Sequence, residues 1–110
     1  MLGRQRIDQV LETYLLALAG RDQCPDSASP LLKHGLAQNL DQAEKAYAYA
    51  IADGLEMRSP ALDMAVADLG AANARAREGL QQTVPLGAVL ADLETATRLA
   101  LAVLAAAGIR

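Results

Sequence analysis

Apolar residues recur along most of the chain at steps of three and four positions, the spacing that places side chains on one face of an α-helix. In the first segment with this pattern they are Ile7, Val10, Leu11, Tyr14, Leu15 and Leu18. Near the middle they are Leu40, Ala43, Tyr47, Ala50 and Ile51. In the last two segments the inner positions are Leu62, Val66, Leu69, Asn73, Ala76 and Leu80, then Leu86, Leu90, Leu93, Thr97, Ala100 and Leu104. The pattern predicts four main helices, each with one face in a core.

Turn-forming and capping residues set the expected boundaries of the first helices. Gly20 is expected to end the first helix as a C-cap. The segment 21–29 (RDQCPDSAS) has no apolar face and is rich in turn-forming residues, so it predicts a loop between the first and second helices. Ser29 followed by Pro30 is typical of an N-cap with proline at the first helical position. The helix that begins there should be short, because Gly35 and Asn39 weaken it.

A capping box predicts that a new helix begins in the middle of the chain. Asp41 is followed three residues later by Glu44, a spacing that lets the two side chains satisfy backbone N–H groups at a helix start. The remaining helix boundaries are predicted at Gly54, Ser59–Pro60, Thr83–Pro85 and Gly108–Ile109.

These elements predict an all-α fold of four main helices and one short helix. The 110 residues suit a single helical domain spanning residues 1–110. Short connections favour antiparallel neighbours, so we expect an up-and-down bundle. Composition agrees, because hydrophobic residues make up 53% of the chain with no Phe or Trp, and most of them are Ala and Leu, strong helix formers.

Charge and cysteine content narrow the class of protein. The formal net charge is −3 and the ten basic residues are scattered, whereas a nucleic-acid binder needs clustered Lys and Arg. A single cysteine, Cys24, cannot form an internal disulfide. The first residues carry no apolar run typical of a signal peptide, and no stretch approaches the ~20 apolar residues of a membrane span. We therefore expect a cytoplasmic protein that binds neither nucleic acid nor membrane.

The sequence contains no residue pattern that predicts a catalytic, cofactor-binding or metal site. One histidine without paired Glu-x-x-His motifs does not suit a helical metal centre, and the Gly-rich phosphate-binding motifs are absent from the sequence. Cys24 and His34 would suit a nucleophile and its base, since a thiol is activated by a nearby imidazole. With no third residue to orient the base, the simpler interpretation is two ordinary residues near the surface.

One segment resembles a known enzyme family. Arg4 and Ile7, the run of Leu and Ala at 15–18, and Arg21 resemble the first helix of the all-helical chorismate mutases. The resemblance implies that the two arginines would bind substrate carboxylates, and Gln81 would match a late catalytic glutamine. In that family the first helix continues to a catalytic lysine, whereas here prolines precede Lys33, which we therefore expect on a different element from Arg4. A small enzyme of this type is the alternative function.

Several apolar residues remain outside the predicted inner faces. They are Leu16, Tyr49, Met64, Ala71 and Leu99. Apolar surface on a domain without reactive groups is typical of a partner site, and most soluble oligomers are twofold homodimers. We therefore predict a regulatory protein (an adaptor, antiactivator, chaperone-like or immunity-type protein) that acts through protein–protein contacts and forms a homodimer, with these five residues at its interface. The opposing interpretation is that alanine is common helix filler and single exposed leucines are ordinary.

The segment 21–29 gives the first testable prediction. Because this segment has no apolar face to anchor it, a protease at low concentration should cut there before it cuts any helix. Mass spectrometry of the first fragments measures the cleavage position. First cleavage inside a predicted helix, with 21–29 intact, would contradict the prediction.

Overall fold

Four helices make up the described part of the chain. The structure is a computed structural model that describes residues 2–53, 60–82 and 85–108, and the side chains of 6–52, 60–82 and 85–108. The helices are α1 (Leu2–Asp22), α2 (Pro30–Asp53), α3 (Pro60–Gln81) and α4 (Leu86–Ala106). Within these ranges there is no β-strand. The predicted all-α class is confirmed.

The second helix is longer than predicted. α2 is one continuous helix of 24 residues, so the predicted short helix is its first half and the predicted start at Asp41 is wrong. Asp41 instead lies on the exposed side of α2, where its carboxylate is 3.1 Å from the Lys45 ammonium one turn later. Gly35 does not break the helix, because tertiary packing outweighs its low propensity: a Cβ there would lie 2.8 Å from a methyl group of Leu90 on α4.

The boundary between α1 and α2 differs from the prediction at Gly20. α1 continues to Asp22, so Gly20 is not a C-cap and the loop covers residues 23–29. Gly20 is buried, and a Cβ on it would lie 2.6 Å from a methyl group of Leu93. This glycine therefore serves the close approach of α1 to α4. The predicted N-cap is confirmed, since the backbone N–H of Leu32 donates to Ser29 Oγ at 3.2 Å.

The end of α4 has the predicted glycine geometry. Gly108 has a φ of 84°, in the left-handed region that favours glycine, and its N–H donates to the Ala105 carbonyl at 3.0 Å. The other predicted boundary residues, Gly54, Ser59, Thr83 and Ile109, lie outside the described residues.

Helices α1 and α4 form the centre of the packing. α1 contacts each of the other three helices, and so does α4, whereas the described parts of α2 and α3 do not contact each other. The four helices form a compact body of 45 × 22 × 17 Å. The outer sides of α2 and α3 therefore remain uncovered by the other described residues.

Two large apolar clusters occupy opposite ends of this body. The first cluster joins the start of α1, the end of α2, the start of α3 and the end of α4. Its buried members are Val10, Ala46, Ala50, Leu62, Leu69, Ala100, Val103, Leu104 and Ala107. The second cluster joins the opposite helix ends, and its buried members are Leu16, Leu36, Ala76, Val89 and Leu93. A smaller third cluster of Ala17, Leu40 and Ala43 packs between α1 and α2, beside the stacked rings of Tyr14 and Tyr47.

The inner face of α1 is not the one its apolar residues predict. Its buried positions follow steps of four and three through Arg6, Val10, Thr13, Ala17 and Gly20, with Leu16 buried beside Ala17. Arg6 and Thr13 are polar, so a pattern of apolar residues alone predicts a stripe rotated away from the true core face. The prediction of Leu15 as an inner residue is therefore wrong, since it is 50% exposed, and on α2 the inner position predicted for Ile51 is also wrong, since Ile51 is 53% exposed.

A buried hydrogen-bond network joins α1 to α3 between the first and second clusters. Asn73 is fully buried, and its Nδ2 donates to the Gln9 backbone carbonyl at 2.9 Å and to Gln9 Oε1 at 3.1 Å. The hydroxyl of Thr13, also buried, donates to Asn73 Oδ1 at 2.8 Å. Both polar atoms of the Asn73 amide are thus satisfied, as a buried amide requires.

Two ion pairs flank this network along the same helix pair. The buried guanidinium of Arg6 lies 2.7 Å from the carboxylate of Asp63, which is largely exposed. Arg77 on α3 pairs with Glu12 on α1. Polar contacts therefore follow α1 and α3 along most of their shared length, and they allow only one alignment of the two helices.

The second prediction tests the Asn73 network. Asn73→Leu should lower the free energy of unfolding by roughly 1–3 kcal/mol, because it leaves buried polar groups on α1 without partners. Asn39→Leu is the matched control: Asn39 is also buried, but its Nδ2 has no partner, so this change should be neutral or stabilising. Urea unfolding followed by circular dichroism measures both. Equal losses in the two variants would show that the network adds nothing specific.

Candidate functional site

The five residues predicted to form an interface differ in exposure. Met64 is 69% exposed, Tyr49 is 51% exposed and Ala71 is exposed, so these three lie outside the core as predicted. Leu99 is half-buried and packs against the first cluster. Leu16 is only 8% exposed and belongs to the second cluster, so its predicted position outside the core is wrong. The cause is the rotated inner face of α1, which turns Leu16 inward.

Met64 and Ala71 lie on the outer face of α3, opposite the residues that enter the core. On a helix with 3.6 residues per turn, the side chains between Met64 and Glu78 at steps of three and four share this side. The outer face of α3 is defined by the exposed residues Met64, Ala67, Asp68, Ala71, Ala74, Arg75 and Glu78. Its apolar part is a stripe of one methionine and three alanines, flanked by charges.

Two of those charges have opposite sign and stand on either side of Ala71. Asp68 precedes Ala71 by three residues, and Arg75 follows it by four. Neither side chain forms an ion pair with a residue that the structure describes. Asp68 and Arg75 therefore place one negative and one positive charge almost symmetrically about the midpoint of the outer face of α3, and Glu78, which accepts a hydrogen bond from Gln82, adds a second negative charge at its end.

A second feature is a cleft between α2 and α4, with a volume of about 320 Å³. We call it the α2–α4 cleft. It is lined by Gln38, Asn39, Gln42, Glu94, Arg98 and Leu101. Polar and charged side chains predominate, and Leu101, 40% exposed, supplies the apolar wall. Tyr49 follows Gln42 by seven residues, about two turns, and so lies on the same side of α2.

The α2–α4 cleft contains a buried amide without a partner. Asn39 is 5% exposed, and its Nδ2 has no hydrogen-bond partner. Glu94 and Arg98 are one turn apart on α4, yet they make no ion pair with each other. The cleft is thus lined by an anion and a cation that pair with no described residue, while the unpartnered amide nitrogen of Asn39 is itself buried.

The loop between α1 and α2 borders another depression, of about 370 Å³. Lys33 donates from Nζ to the Asp26 carbonyl at 2.6 Å, which fastens the loop to α2. Cys24 is half-buried against the second cluster, and its thiol lies 3.7 Å from the Pro25 carbonyl. No hydrogen bond joins Cys24 to His34, which is exposed.

The residues of the chorismate mutase resemblance are distributed over different helices. Arg4 lies on α1 and its side chain is outside the described residues. Arg21 is exposed near the end of α1, and Lys33 lies on α2, so the expectation that Lys33 and Arg4 occupy different elements is confirmed. Gln81 is exposed at the last position of α3. Arg21 and Lys33 both line the depression at the loop.

Among the described residues, no three His, Cys, Asp or Glu side chains come together in a way that would hold a metal ion. None of the helices described combines the length and the apolar character needed to cross a membrane.

The α2–α4 cleft was not predicted from the sequence. Asn39 lies three or four positions from Leu36 and Ala43, the helical spacing of the inner face of α2. This spacing is the one sequence signal that could have identified Asn39 as a buried polar residue. Glu94 and Arg98 have no such signal, since a charged pair one turn apart is common on exposed helices.

Comparisons of the chain with protein-family models, with curated proteins and with solved structures find no match.

The third prediction separates the surface from the core. Leu16→Glu should lower the free energy of unfolding by about 3 kcal/mol or more, because it places an unpaired charge in the second cluster. Met64→Glu should change it by less than about 0.5 kcal/mol, because Met64 is exposed. Thermal melting of the two variants at equal concentration measures the difference. A large loss for Met64→Glu in the isolated monomer would place Met64 in the core.

Proposed function

We propose that this chain is a regulatory helical protein that acts by binding other protein surfaces, and that it forms a homodimer through the outer face of α3. The observation that carries the proposal is the exposure of Met64 at 69% in an apolar stripe with Ala67 and Ala71. Large apolar side chains exposed beside small ones favour helix contacts between chains, since alanine lets two helices approach closely.

The proposal includes an up-and-down order of the four helices. The start of α1 and the end of α2 share the first cluster, while the end of α1 and the start of α2 share the second, which supports an antiparallel pair. The same exchange of ends supports an antiparallel pair of α3 and α4. In this arrangement α3 lies at the edge of the bundle, where a second copy has free access to it.

Charge complementarity supports a second copy as the partner. In a twofold dimer with antiparallel α3 helices crossing near Ala71, Asp68 of each protomer faces Arg75 of the other. Asp68 and Arg75 lack ion-pair partners among the described residues. In this dimer they would form two equivalent ion pairs between the protomers. An isologous contact of this kind requires a self-complementary surface, and the positions of Asp68 and Arg75 on either side of Ala71 support one on the outer face of α3.

The fourth prediction tests this dimer. Met64→Glu should weaken association, because a charge buried at the contact without a partner is costly. Leu31→Glu is the matched control, since Leu31 is 81% exposed but lies on the first turn of α2, away from α3. Sedimentation equilibrium over a range of concentrations measures the dissociation constant. Weakening by at least about tenfold is expected for Met64→Glu alone.

Exchanging the charges at positions 68 and 75 distinguishes the twofold contact from nonspecific association. Asp68→Arg and Arg75→Asp should each weaken the dimer, because each places like charges opposite each other. The double variant restores opposite charges and should recover most of the affinity. A monomer at all concentrations, or a dimer indifferent to these changes, would reject the proposed interface.

A further inference from the structure

A depression between α3 and α4 lies beside the last turns of the outer face of α3. Its volume is about 290 Å³, and we call it the α3–α4 depression. It is lined by Arg75, Glu78, Gly79, Gln82, Ala88, Val89 and Asp92. Val89 is buried in the second cluster, and a Cβ on Gly79 would lie 3.5 Å from one of its methyl groups. Because Gly79 has no side chain, the depression has an apolar floor that an incoming side chain can contact.

The large apolar side chain of the outer face of α3 is far from this depression in its own chain. Met64 is 69% exposed, on the second turn of α3. Fifteen residues separate it from Gly79, which corresponds to about 22 Å along the helix. Met64 therefore cannot enter the α3–α4 depression of its own chain, although it can enter that of a second copy.

The register of the proposed dimer brings Met64 and the depression together. When Asp68 of one copy pairs with Arg75 of the other across antiparallel helices, positions equally far outside this pair also face each other. Met64 precedes Asp68 by four residues, and Gly79 follows Arg75 by four. Met64 of one copy therefore faces Gly79 of the other, at the α3–α4 depression.

The sides of the helix agree with this register. At 3.6 residues per turn, Met64, Asp68, Arg75 and Gly79 lie within about 60° of one another around α3. A twofold axis perpendicular to both helices places the same side of each copy along one edge of the contact. The ion pairs and the Met64 contacts can therefore form together. Methionine suits such a site, because its unbranched, flexible side chain fills irregular gaps.

We propose that the α3–α4 depression of each protomer binds the Met64 side chain of the second copy. This inference rests on the proposed dimer and defines what each copy must present to the other. The methionine packs on Gly79 and Val89, while Arg75 at the rim pairs with Asp68. A matching partner helix therefore carries a long apolar side chain followed one turn later by a carboxylate, and two such contacts form in each dimer.

The fifth prediction is tested by photo-cross-linking of the full chain. The methionines are replaced by photo-methionine, a diazirine analogue of similar shape that bonds to neighbouring atoms on illumination. Mass spectrometry should find peptides that join residue 64 to residues 78–82. Such a link forms only between two copies, because these positions are about 20 Å or more apart on one helix.

Sedimentation equilibrium on the same sample separates this inference from the proposed function. A dimer in which residue 64 is linked elsewhere, or is not linked at all, would overturn the inference while the dimer stands. A chain that is a monomer at all concentrations would reject both proposals.

Filling the depression provides an independent test. Gly79→Leu should weaken the dimer at least about tenfold, because leucine occupies the space of the incoming methionine. It should keep or raise the melting temperature of the monomer, since leucine is the better helix former. Gly87→Leu is the matched control, because Gly87 is an exposed helical glycine outside the depression, where a Cβ would meet nothing within 4 Å. Unchanged dimer affinity in Gly79→Leu, or equal weakening in both variants, would overturn the inference.

Discussion

The alignment of α1 with α3 depends on the buried amide of Asn73. Its hydrogen bonds to Gln9 and Thr13 are made at one relative position of the two helices and would be lost if either helix shifted by a turn. The apolar contacts around it are largely between alanine and leucine, which many alignments would satisfy. A buried polar contact that excludes such alternatives is the best-attested role of asparagine in helix packing. The first and second clusters both include α1 and α3 residues packed in this same alignment.

The sequence predicts the inner face of a helix correctly where the polar residues on that face are included in the pattern. On α3 and α4 the helical pattern continues through the polar residues Asn73 and Thr97, and the predicted inner faces are buried or half-buried throughout. On α1 a pattern of apolar residues alone includes Leu15 and omits Thr13, so it predicts a rotated face. Thr13 is buried because it hydrogen-bonds to Asn73, 60 positions away, and the periodicity of one helix does not reveal such a contact.

Of the two candidate surfaces, the outer face of α3 could be predicted from the sequence and the α2–α4 cleft could not. Exposure of Met64 and Ala71 follows from helical geometry once the inner face of α3 is known, because the opposite side is about half a turn away. The α2–α4 cleft does not follow from any local pattern. Its character depends on the side-by-side packing of two helices far apart in sequence, which leaves Asn39 without a partner and places Glu94 and Arg98 at the opening.

The stacked tyrosines have a spectroscopic consequence. The chain has three tyrosines and no tryptophan, so its near-ultraviolet absorption and intrinsic fluorescence come almost entirely from these rings. Tyr14 and Tyr47 stack with centroids 5.8 Å apart and planes at 11°, close enough for their transitions to couple. Tyr49 is half-exposed and reports on solvent. The near-ultraviolet circular dichroism of this protein is therefore a selective optical probe of the packing of α1 on α2. Separation of these two helices would change this signal before the helix content changes.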